Sequence, residues 1–254
     1  MRILSIDSSL GTQVAVVDTA ETAGLPGTCS VQVLSQAEQA DTRRHAESLG
    51  QMLSEALSAP GVADRPLDAV VAATGPAPFT GLRAGLVTAR VVGRTRGIPV
   101  HGVSSLDAVA RLALDELGAR QGEKDPVVLV ATDARRREVY AALFRANGPD
   151  DVTRLTEISV CPPAQVAECI AVQAPEQCSG AAAIDTVAGS GAALYPELAE
   201  MASYQKALAP VSGDALTQVR IALARLERGE ELSTQPLYLR HADVQMPAAR
   251  KRVR

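Results

Sequence analysis

Aromatic residues are almost missing from this sequence: no Trp, four Tyr and two Phe, 2% of 254 positions. The core must therefore be built from Ala, Val, Leu and Ile, and stacking of bases on aromatic platforms is excluded as the main mode of any nucleic-acid binding. A basic excess is missing too. The chain carries 25 Lys and Arg against 29 Asp and Glu, a formal charge of −4, which disfavours dominant binding to nucleic-acid phosphates. The four cysteines, Cys29, Cys161, Cys169 and Cys178, form no C-x-x-C pair and no metal-like spacing with the three histidines, and they read as buried reduced thiols. No stretch approaches the roughly 18 apolar residues of a membrane span, so the expectation is a cytoplasmic protein without membrane contact. What is present is 46% hydrophobic content, enough to bury a real core in one large domain or two small ones.

One stretch organises the rest. Residues 70–97 read VVAATGPAPFTGLRAGLVTARVVGRTRG. The apolar run 70–73 is a buried strand, ended by Gly75, Pro76 and Pro78. Thr80 is placed to cap a helix that runs to about Arg96, with Gly97 as its stop. A strand, a tight loop and a helix N-terminus is an arrangement that α/β proteins present to phosphates. The loop has neither the Gly-Lys-Ser/Thr ending of a P-loop nor G-x-G-x-x-G, so neither specific reading applies.

Two hairpins with an Asp at the end of the first strand recur along the chain. One is 2–18, with Asp7, Ser8 and Ser9 at its mouth. The other is 127–144, with Asp133 followed by Arg135, Arg136 and Arg137, a run that reads as a solvated turn. Their repetition suggests an internal duplication and two related lobes. Between them fall a strand at 29–34, a helix at 43–58, a short strand near 98–100, and a helix ending at Gly118 behind a Ser104/Asp107 capping box. Later come a short helix from Pro162 and Pro163 through Val172, a VAGSG turn at 187–191, and a helix at 214–228. The basic end, RKRVR, reads as a flexible tail over 241–254.

Counting faces separates the two helices of the first half. Ala46, Leu49, Met52, Leu53, Ala56 and Leu57 share an arc of roughly 140° with His45, which reads as a core-facing stripe. The second helix is apolar on two sides. Leu82, Gly85, Leu86, Ala89, Val92 and Gly93 gather on one, Ala84, Val87 and Val91 on the other, with Arg83, Arg90 and Arg94 between. Such a helix is sandwiched inside its domain or lies between its own sheet and another protein.

ILSIDSS, RRHAESL, TGPAPFTGLRAGLVTAR, GVSSLDAVA, DARRREVYAALF and PLYLR follow one another in an order and spacing that resembles the TsaB (YeaZ) family, relatives of TsaD. The likeness covers nearly the whole chain apart from about 150–183 and the basic tail. It implies an α/β, actin-like or hexokinase-like (ASKHA) fold of two related lobes, each a mixed sheet flanked by helices. The expected lobes are 1–104, completed by the late helix 214–228, and 105–212. It also implies a non-catalytic subunit that supports TsaD in threonylcarbamoyl modification of the tRNA adenosine beside the anticodon. TsaD would be its heterodimer partner and TsaE a member of the larger complex, with a homodimer when alone and tRNA reached only through the assembly.

TsaD-type enzymes hold a metal on a helix bearing two histidines four positions apart, whereas this chain offers His45 and then Leu49. No catalytic residue, metal or cofactor is therefore expected. The family's partner contact is made by the first two helices, which maps here to His45, Leu49, Met52, Leu53, Arg83, Val87, Arg90 and Val91. Asp7, Ser8, Ser9, Gly75, Thr80, Gly81 and Asp133 make up a candidate vestigial nucleotide loop. The family loop Gly-Pro-Gly-Ser-Phe-Thr-Gly departs here at Ala77 and Pro78, which resist positive φ and remove an amide donor. The competing reading is an independent actin-like ATP-dependent kinase or hydrolase, with Asp7 or Asp133 on magnesium and the VAGSG turn on adenosine.

Overall fold

The structure, a computed structural model, describes residues 1–21, 29–41, 45–121, 126–174, 184–202 and 214–239. The first sheet runs β3-β2-β1-β4-β5, from β1 (Arg2–Asp7), β2 (Thr12–Glu21), β3 (Cys29–Gln39), β4 (Ala69–Ala73) and β5 (Val100–Val103). β1, β2 and β3 form an antiparallel meander, while β4 joins β1 and β5 joins β4 in parallel. β1 and β4 are buried along their whole length, as strands covered on both faces must be. Leu4, Ile6, Val70 and Ala72 pack under α1 (His45–Ser58) and α2 (Phe79–Arg96), and Ile3, Ala69 and Val71 pack on the opposite face against Val219, Ile221 and Ala222.

Those last residues belong to α6 (Ala215–Glu227), whose Asp214 accepts from the Thr217 amide as its cap. A late helix thus closes the first sheet.

The second sheet repeats the scheme. β6 (Val128–Arg135), β7 (Glu138–Asn147) and β8 (Asp151–Arg154) form an antiparallel meander, and β10 (Thr186–Ala188) joins β6 in parallel as β4 joins β1; β9 (Ser159–Cys161) pairs with β7. One face packs on α3 (Ser105–Gln121). The other packs on α4 (Val166–Gln173), on Ala192 of α5 (Ser190–Leu194) and on Leu198 in a 3-10 turn. Asp7 and Asp133 close equivalent first strands, opposite Gln13 and Val139. The molecule is an actin-like α/β protein of two related lobes.

An ionic network joins them. Arg111 of α3, Arg220 and Arg225 of α6, and Arg228 at the α6 C-cap converge on the turn between β7 and β8. Arg111 donates to the carbonyls of Gly148 and Asp151, Arg220 pairs with Asp115 and Asp150, and Arg225 pairs with Asp107 and Asp151, all at 2.6–3.1 Å; Arg228 also pairs with Asp151.

Several local expectations give way. Pro78, not Thr80, stands at the N-cap of α2; no side chain caps it, and Thr80 is exposed in the first turn. β5 starts past Pro99, which has no amide to donate, although the Pro99 carbonyl accepts from Val70. No Ser104/Asp107 box forms, because Asp107 instead faces Arg225 across the lobes and the buried Ser104 hydroxyl finds no protein partner. β8 and β9, short and half-polar, had no sequence signal. Cys161 is buried and Cys169 half-buried, both free, and burial beside Cys169 pushes the Cys161 thiol up to about 12. Cys29 and Cys178, His45 as a side chain, and the tail lie outside the described side chains. Among the described residues no helix is long and apolar enough to cross a membrane.

Candidate functional site

Two places on this fold deserve comparison with the sequence expectations: the cleft between the lobes, and the outer face of α2. The cleft is walled by Ser9 and Leu10 of the β1–β2 turn, Pro76, Ala77 and Pro78 before α2, Ser105 and Val109 of α3, Thr132 and Asp133 of β6, and Ser190. The equivalent Asp-bearing strand ends do meet there. Yet the space accessible to the centre of a water molecule is only about 20 Å³, room for a water and not for a nucleoside. The hydroxyls of Ser105 and Thr132 have no protein partner and would be satisfied by such a water.

The candidate nucleotide residues are mostly engaged in holding the fold. Asp7 accepts from the Ser9 amide at 2.7 Å and from the Gln218 side chain at 2.7 Å. Burial pushes its carboxyl above the usual range, with the hydrogen bonds from Ser9 and Gln218 opposing that shift. The Ser8 hydroxyl donates to the Gly81 carbonyl at 2.7 Å and accepts from the Gly85 amide at 3.0 Å, pinning α2 to the first hairpin. A Cβ on Gly85 would sit 2.3 Å from that hydroxyl oxygen, so only glycine fits. The Gly75 carbonyl accepts from the Ser105 amide. Asp133 accepts from the Arg135 amide at 2.9 Å and pairs with its guanidinium at 3.3 Å.

Arg135, Arg136 and Arg137 are exposed, as a solvated turn should be, and all three have positive φ. Two of the walls facing the cleft, Pro76 and Pro78, have no amide to offer a phosphate. The residues here do not fit a magnesium-bound nucleotide. They do not fit a metal on α1 either: the position four residues after His45 is Leu49, 3% exposed in the core.

α1 also departs from its expected interface role. Leu49 and Met52 are buried in the chain's own core and Leu53 packs against it, so these residues hold α1 down and are absent from its outer side. That side shows Glu47, Gly50, Gln51, Ser54 and Glu55.

α2 follows the face count except at Ala84, which the count assigns to the outer strip with Val87 and Val91 but which is half-buried and packs against the chain's own core. Gly81, Leu82, Gly85, Leu86, Ala89, Val92 and Gly93 are buried, while Val87 and Val91 are each 57% exposed. Phe79, Arg83, Val87 and Val91, spaced four apart, form one outward ridge.

Residues 229–239, of which the sequence reading singles out only the PLYLR stretch from Pro236, lie along this ridge. The Gly102 amide donates to the Leu232 carbonyl at 3.1 Å and the Leu237 amide to the Thr74 carbonyl at 2.9 Å. A Cβ on Gly102 would meet the Ser233 carbonyl oxygen at 2.1 Å. Arg90 donates to the Thr234 carbonyl and hydroxyl at 2.5 and 3.3 Å. Arg83 donates from Nε to the Tyr238 hydroxyl at 2.9 Å, with its guanidinium carbon 3.4 Å from the Phe79 ring centre and 5.6 Å from that of Tyr238. Nine large apolar side chains are exposed among the described residues, and five of them, Phe79, Val87, Val91, Tyr238 and Leu239, belong to α2 and this strap. Such concentration marks an interaction surface.

A two-lobed actin-like protein with a filled cleft and an apolar outer helix is the class that the fold and these two sites define. The TsaD family of tRNA N6-adenosine threonylcarbamoyltransferases matches over residues 32–225, and the chain belongs to it, as a TsaB (YeaZ)-type member. An uncharacterized protein of Mycobacterium tuberculosis is 42% identical over 143 residues, 54% of this chain and 63% of that protein. The tRNA N6-adenosine threonylcarbamoyltransferase of Rhizobium meliloti is 34% identical over 123 residues, 44% of this chain and 34% of the enzyme. The matched part of the chain thus spans less than two thirds of these relatives. YeaZ from Pseudomonas aeruginosa shares the fold, with a TM-score of 0.67 at 24% identity, over 94% of this chain and 99% of that one.

Proposed function

We propose that the chain is a non-catalytic subunit that binds and supports a TsaD-type transferase in forming the threonylcarbamoyl modification of the tRNA adenosine next to the anticodon. The observation that carries this reading is the outer face of α2, where Val87 and Val91 lie 57% exposed on a helix whose other side is fully packed. Covering each valine would contribute up to roughly 1.5–3 kcal/mol. Supporting it, the cleft in which an actin-like enzyme would hold its nucleotide has room for a water only, and Asp7 is engaged with Gln218. The docking surface is Arg83, Val87, Arg90 and Val91 on α2, with α1 contributing its polar outer side. TsaE joins the larger complex, tRNA is reached through the assembly in the cytoplasm, and alone the chain pairs weakly with a second copy.

The test is co-elution of the chain with the transferase subunit of its own organism, followed by a threonylcarbamoylation assay omitting each in turn. Modification that needs both supports the proposal. Full modification without this chain, or micromolar Mg-ATP binding with turnover by the chain alone, would sink it in favour of an independent ATP-dependent enzyme.

A further inference from the structure

We infer that the strap, residues 229–239, is part of the docking surface and presets Arg83 and Arg90 to receive carboxylates that border an apolar helix stripe on the partner. The inference rests on the reading that α2 is the docking face. An arginine standing alone on a helix surface samples many rotamers and loses that freedom when it engages a partner. Here the loss has already occurred. Arg83 is held over the Phe79 ring with Nε on the Tyr238 hydroxyl, so that among the described residues Nη1 and Nη2 remain for another acceptor. Arg90 is held by Nε and Nη2 on Thr234, leaving Nη1. The strap itself is fastened by backbone hydrogen bonds to Gly102 and Thr74, yet Tyr238 and Leu239 remain 43% and 38% exposed and continue the ridge of Phe79, Val87 and Val91. It therefore extends the apolar surface instead of covering it.

Charge selects the occupant. α2 carries four arginines, among them Arg94 one turn from Arg90, and no acidic residue. Complementarity asks for carboxylates opposite. A second copy of this chain meets the requirement poorly. Its α1 offers Glu47 and Glu55 but only Gly50, Gln51 and Ser54 beside them, with no apolar stripe for the valines. Its α2 offers the stripe but sets arginine against arginine. A different protein, with both features on one helix, fits better.

The test measures affinity of the full-length chain for the transferase subunit of the same organism by calorimetry at low and moderate salt. Three variants are compared: Val87→Asp with Val91→Asp, Tyr238→Ala with Leu239→Ala, and Arg83→Gln with Arg90→Gln. Melting curves confirm that each variant is folded. We expect the first pair to abolish binding and the second to weaken it about 10-fold. The third should weaken it comparably and also flatten its salt dependence, since exposed charge pairs are screened. If the valine pair abolishes binding while the strap and arginine pairs bind like the parent chain, this inference falls and the docking reading stands. If all three bind like the parent, the docking reading falls with it. Loss of self-association alone, with transferase binding intact, overturns the choice of a heterologous partner.

Discussion

The two sides of α2 obey opposite rules. On the inner side every gap is closed: Leu82, Leu86 and Ala89 are at most 3% exposed, and Gly85 approaches the Ser8 hydroxyl so closely that no other residue fits. On the outer side Val87 and Val91 face solvent with more than half their surface. The difference teaches that one helix can serve the core and still leave an apolar face free, which is the face the proposed function assigns to a partner.

The strongest way to break that comparison is at the outer side. Val87→Asp with Val91→Asp should reduce affinity for the transferase subunit more than 100-fold, because two charges would be stranded in an apolar contact. Stability should change by less than about 0.5 kcal/mol, since both sites are exposed; a melting curve and a co-elution run check the pair of outcomes. The converse change is Gly85→Ala on the inner side. Overpacking against Ser8 should cost about 1–3 kcal/mol of stability, seen in denaturant melts, with transferase binding affected only through the folded fraction.

Asp7→Asn sharpens the reading of the cleft. The folded carboxyl titrates above its unfolded value, so the folded state holds more protons and native stability falls as pH rises through that interval. The amide carries no such penalty. Its melting temperature should exceed that of the parent at about pH 8, and the gap should close as pH falls below about 4, where the parent is protonated in both states. A pH-independent difference would contradict the burial cost assigned to Asp7. The smallest effect is expected from Asp133→Ala, under about 0.5–1 kcal/mol, because the pair it makes with Arg135 is a half-exposed one on a turn. A loss well above about 1 kcal/mol in denaturant melts would contradict the minor role assigned to that pair.

Much of this was legible from residue order. The strand-Asp-turn-strand repeat announced the two lobes, and counting at 100° per residue separated buried from exposed residues on α2 without error at Leu82, Gly85, Leu86, Ala89, Val92 and Gly93. The same counting placed Leu49 and Met52 in a core-facing stripe, where they lie; it was the family likeness that assigned them to an interface. What escaped were effects decided by distant chain. Ser104 and Asp107 have the spacing of a capping box, but an arginine 118 residues away claims the carboxylate. The satisfaction of the buried Asp7 depends on Gln218 reaching it, and the strap on Arg83 and Arg90 reaching Tyr238 and Thr234. Periodicity reports one element at a time and is silent on such pairings.

Gln218 lies 211 residues after the carboxylate it satisfies. At the usual 5–20 residues per second of synthesis, Asp7 waits roughly 10–40 s on the ribosome for its buried partner. The first sheet is likewise without α6 on one face until the chain has been extended almost to its strap. The ridge of α2 gains Tyr238 and Leu239 later still. A prematurely ended chain therefore has an unfinished first lobe and an unfinished α2 ridge together, so that the surface proposed for docking would be the last part of this lobe to be assembled.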